Sequence, residues 1–208
     1  RVSDQVIGDI YAQVAAQRIC QNGLIEFLEN TGLPNLTELS AALRSRAEAA
    51  MREAISALPD GSWTSSLDAD GVDERETHIN CRVTIKGSDL GIDFEGTSPE
   101  VASGINSVMK YTYAYATYPI KCALDPDSPR NEGSFQPITV QAPECSILNP
   151  KFPAPVAARQ LTGHLLYGVI YRCLAQIAPE RVCAESGSTP TLRSVYGGID
   201  RKGNVFNQ

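Results

Sequence analysis

Histidine is nearly missing from this chain. Only His78 and His164 occur among 208 residues, far apart in sequence and without carboxylates at metal-ligand spacing, so an autonomous zinc site is not expected. Basic charge is also in deficit. Eighteen Lys and Arg face 24 Asp and Glu, a formal net charge of -6, which argues against a nonspecific grip on nucleic acid, because that affinity comes mainly from Lys and Arg releasing counterions. The six cysteines form no C-x-x-C pair and read as the reduced thiols of a cytoplasmic protein rather than a disulfide framework. No apolar run approaches the roughly 20 residues that span a bilayer, and Arg1-Val2-Ser3-Asp4-Gln5 is unlike a signal peptide. No phosphate-binding G-x-x-x-x-G-K-[ST], G-x-S-x-G elbow or G-x-G-x-x-G fingerprint is present, so neither ATP nor dinucleotide binding by this chain alone is expected. The sequence does not open on Met, and residue 1 is expected to be a boundary within a longer protein.

What is present is an ordinary globular composition with 42% hydrophobic and 20% charged residues, without repeats or low-complexity segments. Ile7, Ile10, Tyr11, Val14, Ile19, Leu24 and Leu28 recur at largely helical spacing, which predicts one long helix, or two broken near Asn22-Gly23. Leu36, Leu39, Leu43, Ala47, Ala50, Ala54 and Leu58 predict a second, amphipathic helix stopped by Pro59-Asp60-Gly61. Ile79, Cys81, Val83 and Ile85 alternate with polar residues, as do Leu90, Ile92 and Phe94, around Gly87-Ser88-Asp89. This is an antiparallel hairpin. Ser62 to Leu67 reads as a third strand, joined to the pair by an acidic loop from Asp68 to Glu76. A Tyr-rich helix interrupted by Pro119 should follow Gly104 and end before Asp125-Pro126-Asp127. Then come a strand from Pro137 to Ala142, an ordered Pro-rich loop to Pro155, a further helix from Ala157 to Ala178, and a strand from Leu192 to Tyr196. Helices first, then a hairpin, then mixed elements give an α+β fold. Its helical segment would cover residues 1–61, and a mixed segment of sheet and packed helices would cover 62–208 as part of one continuous fold.

Several residues could carry chemistry. His164, near the start of the later helix, is a candidate because a helix N-terminus can present backbone N–H groups to an anion or carbonyl; capping or packing is the alternative. His78 begins a hairpin strand and reads as solvent-facing. Asp93 to Ser98 reads either as a turn held by Asp and Thr side chains or as a substrate contact. Asn106, Asn131 and Asn149 adjoin Gly or Pro, where an amide can tie a loop to itself. The tyrosines from 111 to 118 suit an interface or a core helix, and Ser186-Gly187-Ser188 is a weak nucleophile signal without an identifiable base.

Taken in order, Gly8-Asp9-Ile10, Leu58-Pro59-Asp60-Gly61, Asp93-Phe94-Glu95-Gly96-Thr97-Ser98, Gly104-Ile105-Asn106 and Leu124-Asp125-Pro126-Asp127 form a series. Asn131-Glu132-Gly133, Ser146-Ile147-Leu148-Asn149-Pro150, Pro153-Ala154-Pro155-Val156 and Ala184-Glu185-Ser186-Gly187 continue it. Together these blocks resemble the hydantoinase B/oxoprolinase family, which includes N-methylhydantoinase subunits, the C-terminal half of 5-oxoprolinase and a subunit of acetone carboxylases. The resemblance implies part of a B-type subunit in an ATP-dependent ring-opening amidohydrolase acting on hydantoins or 5-oxoproline-like lactams. An acetone- or acetophenone-type carboxylase subunit is the alternative chemistry, and a structural or assembly module without activity of its own is the alternative of another class. ATP would be bound and used by a hydantoinase A-type partner. A divalent metal would be held by His and Asp ligands in a region preceding Gly8-Asp9, so the resemblance gives this chain no cofactor and no metal ligand, and the isolated piece would be inactive. Asn106, Asn131, Arg159 and His164 stand in or beside family-type blocks. Arg159 and His164 are expected to border a substrate-facing or subunit-facing cleft.

Overall fold

The computed structural model describes residues 3–72, 75–183, 197–199 and 205–207. The chain divides into two compact units, residues 1–45 and 46–208. In the first unit, α1 (Ser3–Thr31) is one continuous helix. Asn22-Gly23 does not break it, because an interior Gly costs a helix only about 1 kcal/mol and no Pro is present. Most of its large apolar residues, Ile10 and Ile19 among them, are exposed. Helix α2 (Thr37–Ser56) begins in this unit, where the Asn35 side chain accepts a hydrogen bond from the Thr37 N–H.

The second unit is a sheet with helices over one face. Its strands are β1 (Gly61–Val72), β2 (Arg75–Lys86), β3 (Asp89–Asp93) and β4 (Ile138–Gln141), in spatial order β1-β2-β3-β4. The first three pair antiparallel as a meander. Alternation decides which face is buried: Ile79, Cys81, Val83, Ile85, Leu90 and Ile92 are sealed, while Arg82, Thr84 and Lys86 are exposed. Met51 and Ile55 of α2 join the same core, as do Ile120 of α3 (Met109–Leu124) and Leu166, Val169 and Ile170 of α4 (Arg159–Leu174). A separate two-stranded ribbon pairs β5 (Gly197–Ile199) with β6 (Val205–Asn207).

The α+β expectation holds, with two differences. Asp68 to Val72 is not a loop: β1 runs on to Val72 and β2 starts at Arg75. The acidic side chains suggested a loop, but they alternate with Leu67 and Ala69, which pack against the core, and period-two burial outweighs local polarity. A register shift between Ala69 and Val72 marks the end of the hairpin, and Gly71 there has φ +69 with the Arg75 carbonyl oxygen only 1.8 Å from where a Cβ would sit. The strand at Ile138–Gln141 pairs parallel to β3, making the sheet mixed. A parallel pair needs a long crossover, and residues 94–137, including α3, supply it. The expected strand at Leu192 to Tyr196 lies outside the described residues, as does Ser186-Gly187-Ser188.

Helix α3 carries Pro119 inside it. An interior Pro removes one backbone bond and crowds the preceding turn at a cost of about 3 kcal/mol. Here Pro119 and Ile120 are buried, and the Thr117 hydroxyl donates to the Tyr113 carbonyl at 2.9 Å. In the last turn of the helix, Lys121 Nζ is sealed with Asp125 and Ser128, donating to Asp125 Oδ2 at 2.7 Å and to the Ser128 carbonyl at 2.9 Å. Asp125-Pro126-Asp127 therefore opens an ordered turn.

Candidate functional site

Helices α3 and α4 present a shared aromatic surface. Tyr111 and Tyr115 are one turn apart on α3, the spacing at which helical side chains meet, and their rings stack with centroids 4.4 Å apart. Tyr167 of α4 stacks on Tyr115 at 5.3 Å. The helices close on one another here because α4 has glycine at position 163: a Cβ there would come within 2.6 Å of the Tyr111 ring and 3.2 Å of the Tyr115 ring. Burial, then the neighbouring Tyr115, Tyr118 and Tyr111 hydroxyls, push the Tyr167 phenol up to about 12. It is consequently a neutral group at physiological pH.

Arg159 and His164 meet on this surface. The Arg159 guanidinium lies 5.1 Å from the centre of the Tyr111 ring and donates to the Val156 carbonyl at 3.3 Å. The ring face attracts the cation, and the contact limits its rotation. The His164 imidazole stands edge-on to Tyr115 at 5.7 Å and to Tyr167 at 6.2 Å. A cation, an imidazole and half-buried phenols thus lie on one patch.

Asn106 supports this region from within. It is fully buried; its Oδ1 accepts from the Val101 N–H at 2.8 Å, and its Nδ2 donates to the carbonyls of Val101, Ser103 and Pro155. Those bonds tie the loop before α3 to the loop entering α4. Nearby, the Ala158 N–H reaches the Gly104 carbonyl, and the Thr162 hydroxyl reaches that of Ile105. Asn131 sits in a different turn, where its Oδ1 caps the short helix Glu132–Phe135 through the Gly133 N–H at 2.8 Å. Asn106 is therefore committed to backbone groups, and of the four candidates only Arg159 and His164 share the aromatic surface.

His78 is solvent-facing as expected, with its Nδ1 2.7 Å from Asp68 Oδ1 across the β1–β2 pair. The Asp93 to Ser98 stretch is a turn: Asp93 Oδ1 accepts from the Glu95 N–H, while the Thr97 and Ser98 side chains accept from the Asn80 and His78 N–H groups of β2. Cys81 and Cys173 are sealed in the core, with Cys173 Sγ 3.2 Å from the Ser65 hydroxyl. Among the described residues no three His, Cys, Asp or Glu side chains converge as a metal-binding set. No described helix is long and apolar enough to cross a membrane.

Sequence reasoning missed Gly163 and Tyr167. The i, i+4 spacing of Tyr111 and Tyr115 was visible, but nothing in one sequence shows that a glycine on another helix faces them.

The hydantoinase B/oxoprolinase family model matches residues 1–208. The putative B-type subunit of a D-/L-hydantoinase from Pseudomonas sp. (strain NS671) is 36% identical over 201 residues, covering 90% of this chain and 34% of that protein. The chain therefore spans about a third of the length of that curated relative. Among solved structures, the ATP-dependent caprolactamase from Pseudomonas jessenii superposes with TM-score 0.80 at 23% identity, over 96% of this chain and 39% of that one. A nucleotide-free acetone carboxylase superposes with TM-score 0.64 at 17% identity, over 77% of this chain and 24% of that one. At these identities the two structures establish likeness of fold.

Proposed function

This chain belongs to the hydantoinase B/oxoprolinase family, and from that premise we propose that it serves as part of the B-type subunit of an ATP-dependent, ring-opening cyclic amide hydrolase. The observation that carries the reading is the 36% identity to a B-type hydantoinase subunit across 90% of the chain. Hydantoins and 5-oxoproline-like lactams are the substrate class. Their amides are stabilised by resonance, which is why activation of the amide oxygen by ATP on a hydantoinase A-type partner would precede attack by water. The divalent metal expected for such a water belongs to a region outside this chain.

On this reading the aromatic surface of α3 and α4 does the positioning. Beside the mutually stacked Tyr111, Tyr115 and Tyr167 rings, Arg159 donates to a ring carbonyl and later to the carboxylate that ring opening releases, and His164 hydrogen-bonds the ring edge. Holding the ring in register with the activating and attacking groups supplies the orientation on which such a reaction depends.

The test uses the complete subunit co-purified with its partner and a panel of hydantoin, N-methylhydantoin and 5-oxoproline. Ring opening coupled to ATP cleavage and abolished by a chelator is the expected result. Arg159→Ala and His164→Ala should each lower kcat/KM at least tenfold, with Tm within a few degrees of the parent. Unchanged turnover removes Arg159 and His164 from the site. The acetone carboxylase likeness of fold favours one second reading: no ring opening, but bicarbonate-dependent ATP consumption with acetone or acetophenone, assigns the chain to that chemistry.

A further inference from the structure

Two of the six cysteines meet at one place in the core. Cys81 lies midway along β2, where it pairs with Ser65 of β1 and turns its side chain to the buried face of the sheet. Cys173 stands in the last turn of α4, packed in the same core. Its Sγ is 3.2 Å from the Ser65 hydroxyl and 3.7 Å from the carbonyl oxygen of Cys81. Both side chains are fully buried, and the two thiols hydrogen-bond to one another. The other four cysteines, Cys20, Cys122, Cys145 and Cys183, are exposed. A small apolar side chain would fill either core position as well as sulfur does. Two thiols meeting across a helix–sheet contact add redox chemistry that packing does not require.

We propose that Cys81 and Cys173 form an oxidative modification site, at which hydrogen peroxide converts the pair to a disulfide that fastens the end of α4 to β2. Cys173 reacts first. Hydrogen bonding from the Cys81 thiol outweighs burial and holds the Cys173 thiol down at about 7, while the same contact and burial push the Cys81 thiol up, and the thiolate is the nucleophile in such chemistry. Access follows from position. Helix ends open locally at much lower cost than the core, and Ser65, in contact with Cys173, is only half-buried, so opening of the last turn admits a molecule as small as hydrogen peroxide. The Cys173 thiolate attacks one peroxide oxygen, the O–O bond breaks, and the departing hydroxide leaves as water with the proton that Cys173 gave up. The Cys81 sulfur then attacks the sulfur of the resulting sulfenic acid; the S–S bond forms, the S–O bond breaks, and a second water leaves with the Cys81 proton. Two thiols and one peroxide give one disulfide and two waters. A small dithiol reverses the step by exchange. Because the bond joins residues far apart in sequence, it removes chain entropy from the unfolded state and stabilises the fold.

The test treats the complete subunit with hydrogen peroxide under native conditions, alkylates the remaining thiols in denaturant, and maps linked peptides by mass spectrometry. The expected product is a peptide pair joined through Cys81 and Cys173, with Tm raised by at least about 3 °C and amide exchange slowed over residues 171–176. Dithiothreitol should reverse all three changes. Dimedone should trap a sulfenic acid on Cys173 in the Cys81→Ala variant and none on Cys81 in the Cys173→Ala variant, which separates the attacking thiol from the resolving one. Cys122→Ser and Cys145→Ser should leave the linkage unchanged. Full alkylation of Cys81 and Cys173 after oxidation, a linkage that forms only in urea, or a linked form less stable than the reduced one each overturns the proposal.

Discussion

Replacing Gly163 with alanine tests the contact that brings Arg159 and His164 to one surface. An alanine in the interior of a helix is normally favoured over glycine by about 1 kcal/mol. Here the added methyl would lie 2.6 Å from Cε1 of Tyr111 and 3.2 Å from Cδ1 of Tyr115, whereas carbon atoms rest about 3.5–4.0 Å apart. The Tyr111 ring must therefore yield by about 1 Å, against its stack on Tyr115 and its contact with Arg159. Overpacking of this kind costs about 1–3 kcal/mol, so the propensity gain is outweighed and a net loss near 1 kcal/mol is expected. For a unit of this size that lowers Tm by about 2–4 °C. The decisive measurement is a double-mutant cycle by thermal or urea unfolding. With Tyr111→Ala already in place the 2.6 Å collision is gone and only the milder 3.2 Å approach to Tyr115 remains, so Gly163→Ala should be tolerated better than in the parent. If Gly163→Ala changes the stability of the parent and of the Tyr111→Ala background equally, the two helices do not meet as described.

Asn106→Asp exchanges a buried amide that donates to three carbonyls for a carboxylate facing them, and should cost at least about 3 kcal/mol by urea unfolding, more than Asn131→Asp. Burial tends to raise the Asp125 carboxyl, but hydrogen bonds from Lys121 and Ser128 outweigh it and leave the group below its ordinary value. A carboxylate lowered by folding stabilises above its unfolded pKa, near 4, and loses that contribution as pH falls through the folded value. Asp125→Asn should accordingly destabilise at pH 7 by about 2–3 kcal/mol, with the deficit shrinking in unfolding curves taken below about pH 4. Ultraviolet titration should show one tyrosine ionising near pH 12 that disappears in Tyr167→Phe; an unchanged titration refutes the burial assigned to it.

Much of the architecture was legible because it is local. The Ile79 to Phe94 hairpin announces itself by strict alternation around Gly87-Ser88-Asp89, and the buried and exposed residues follow that alternation residue by residue. Helix α4 was also readable from spacing, although its regular part is the shorter Arg159–Leu174. The acidic loop failed for an equally physical reason. Asp68 and Asp70 resemble loop residues one at a time, yet the strand they belong to is held by Leu67, Ala69 and nine successive partners from Gly61↔Ile85 to Ala69↔Thr77. Asn131 behaves as an amide beside a Gly-containing turn should, but the same pattern at Asn106 conceals a deeper role, since one of its acceptors is Pro155, 49 residues away.

The sequence by itself determined most of the described elements and the family, because periodic burial, turn residues and ordered motif blocks are properties of short stretches read along the chain. Only the tertiary structure decided the parallel placement of β4 beside β3, the stacking of Tyr167 of α4 on Tyr115 of α3, and the convergence of Arg159 and His164 on that surface. It also decided that the Thr64 and Ser66 carbonyls of β1 are capped by Gln176 and Arg172. Each of these depends on residues distant in sequence being packed within a few ångströms, and close packing is set by the whole core at once rather than by any one segment.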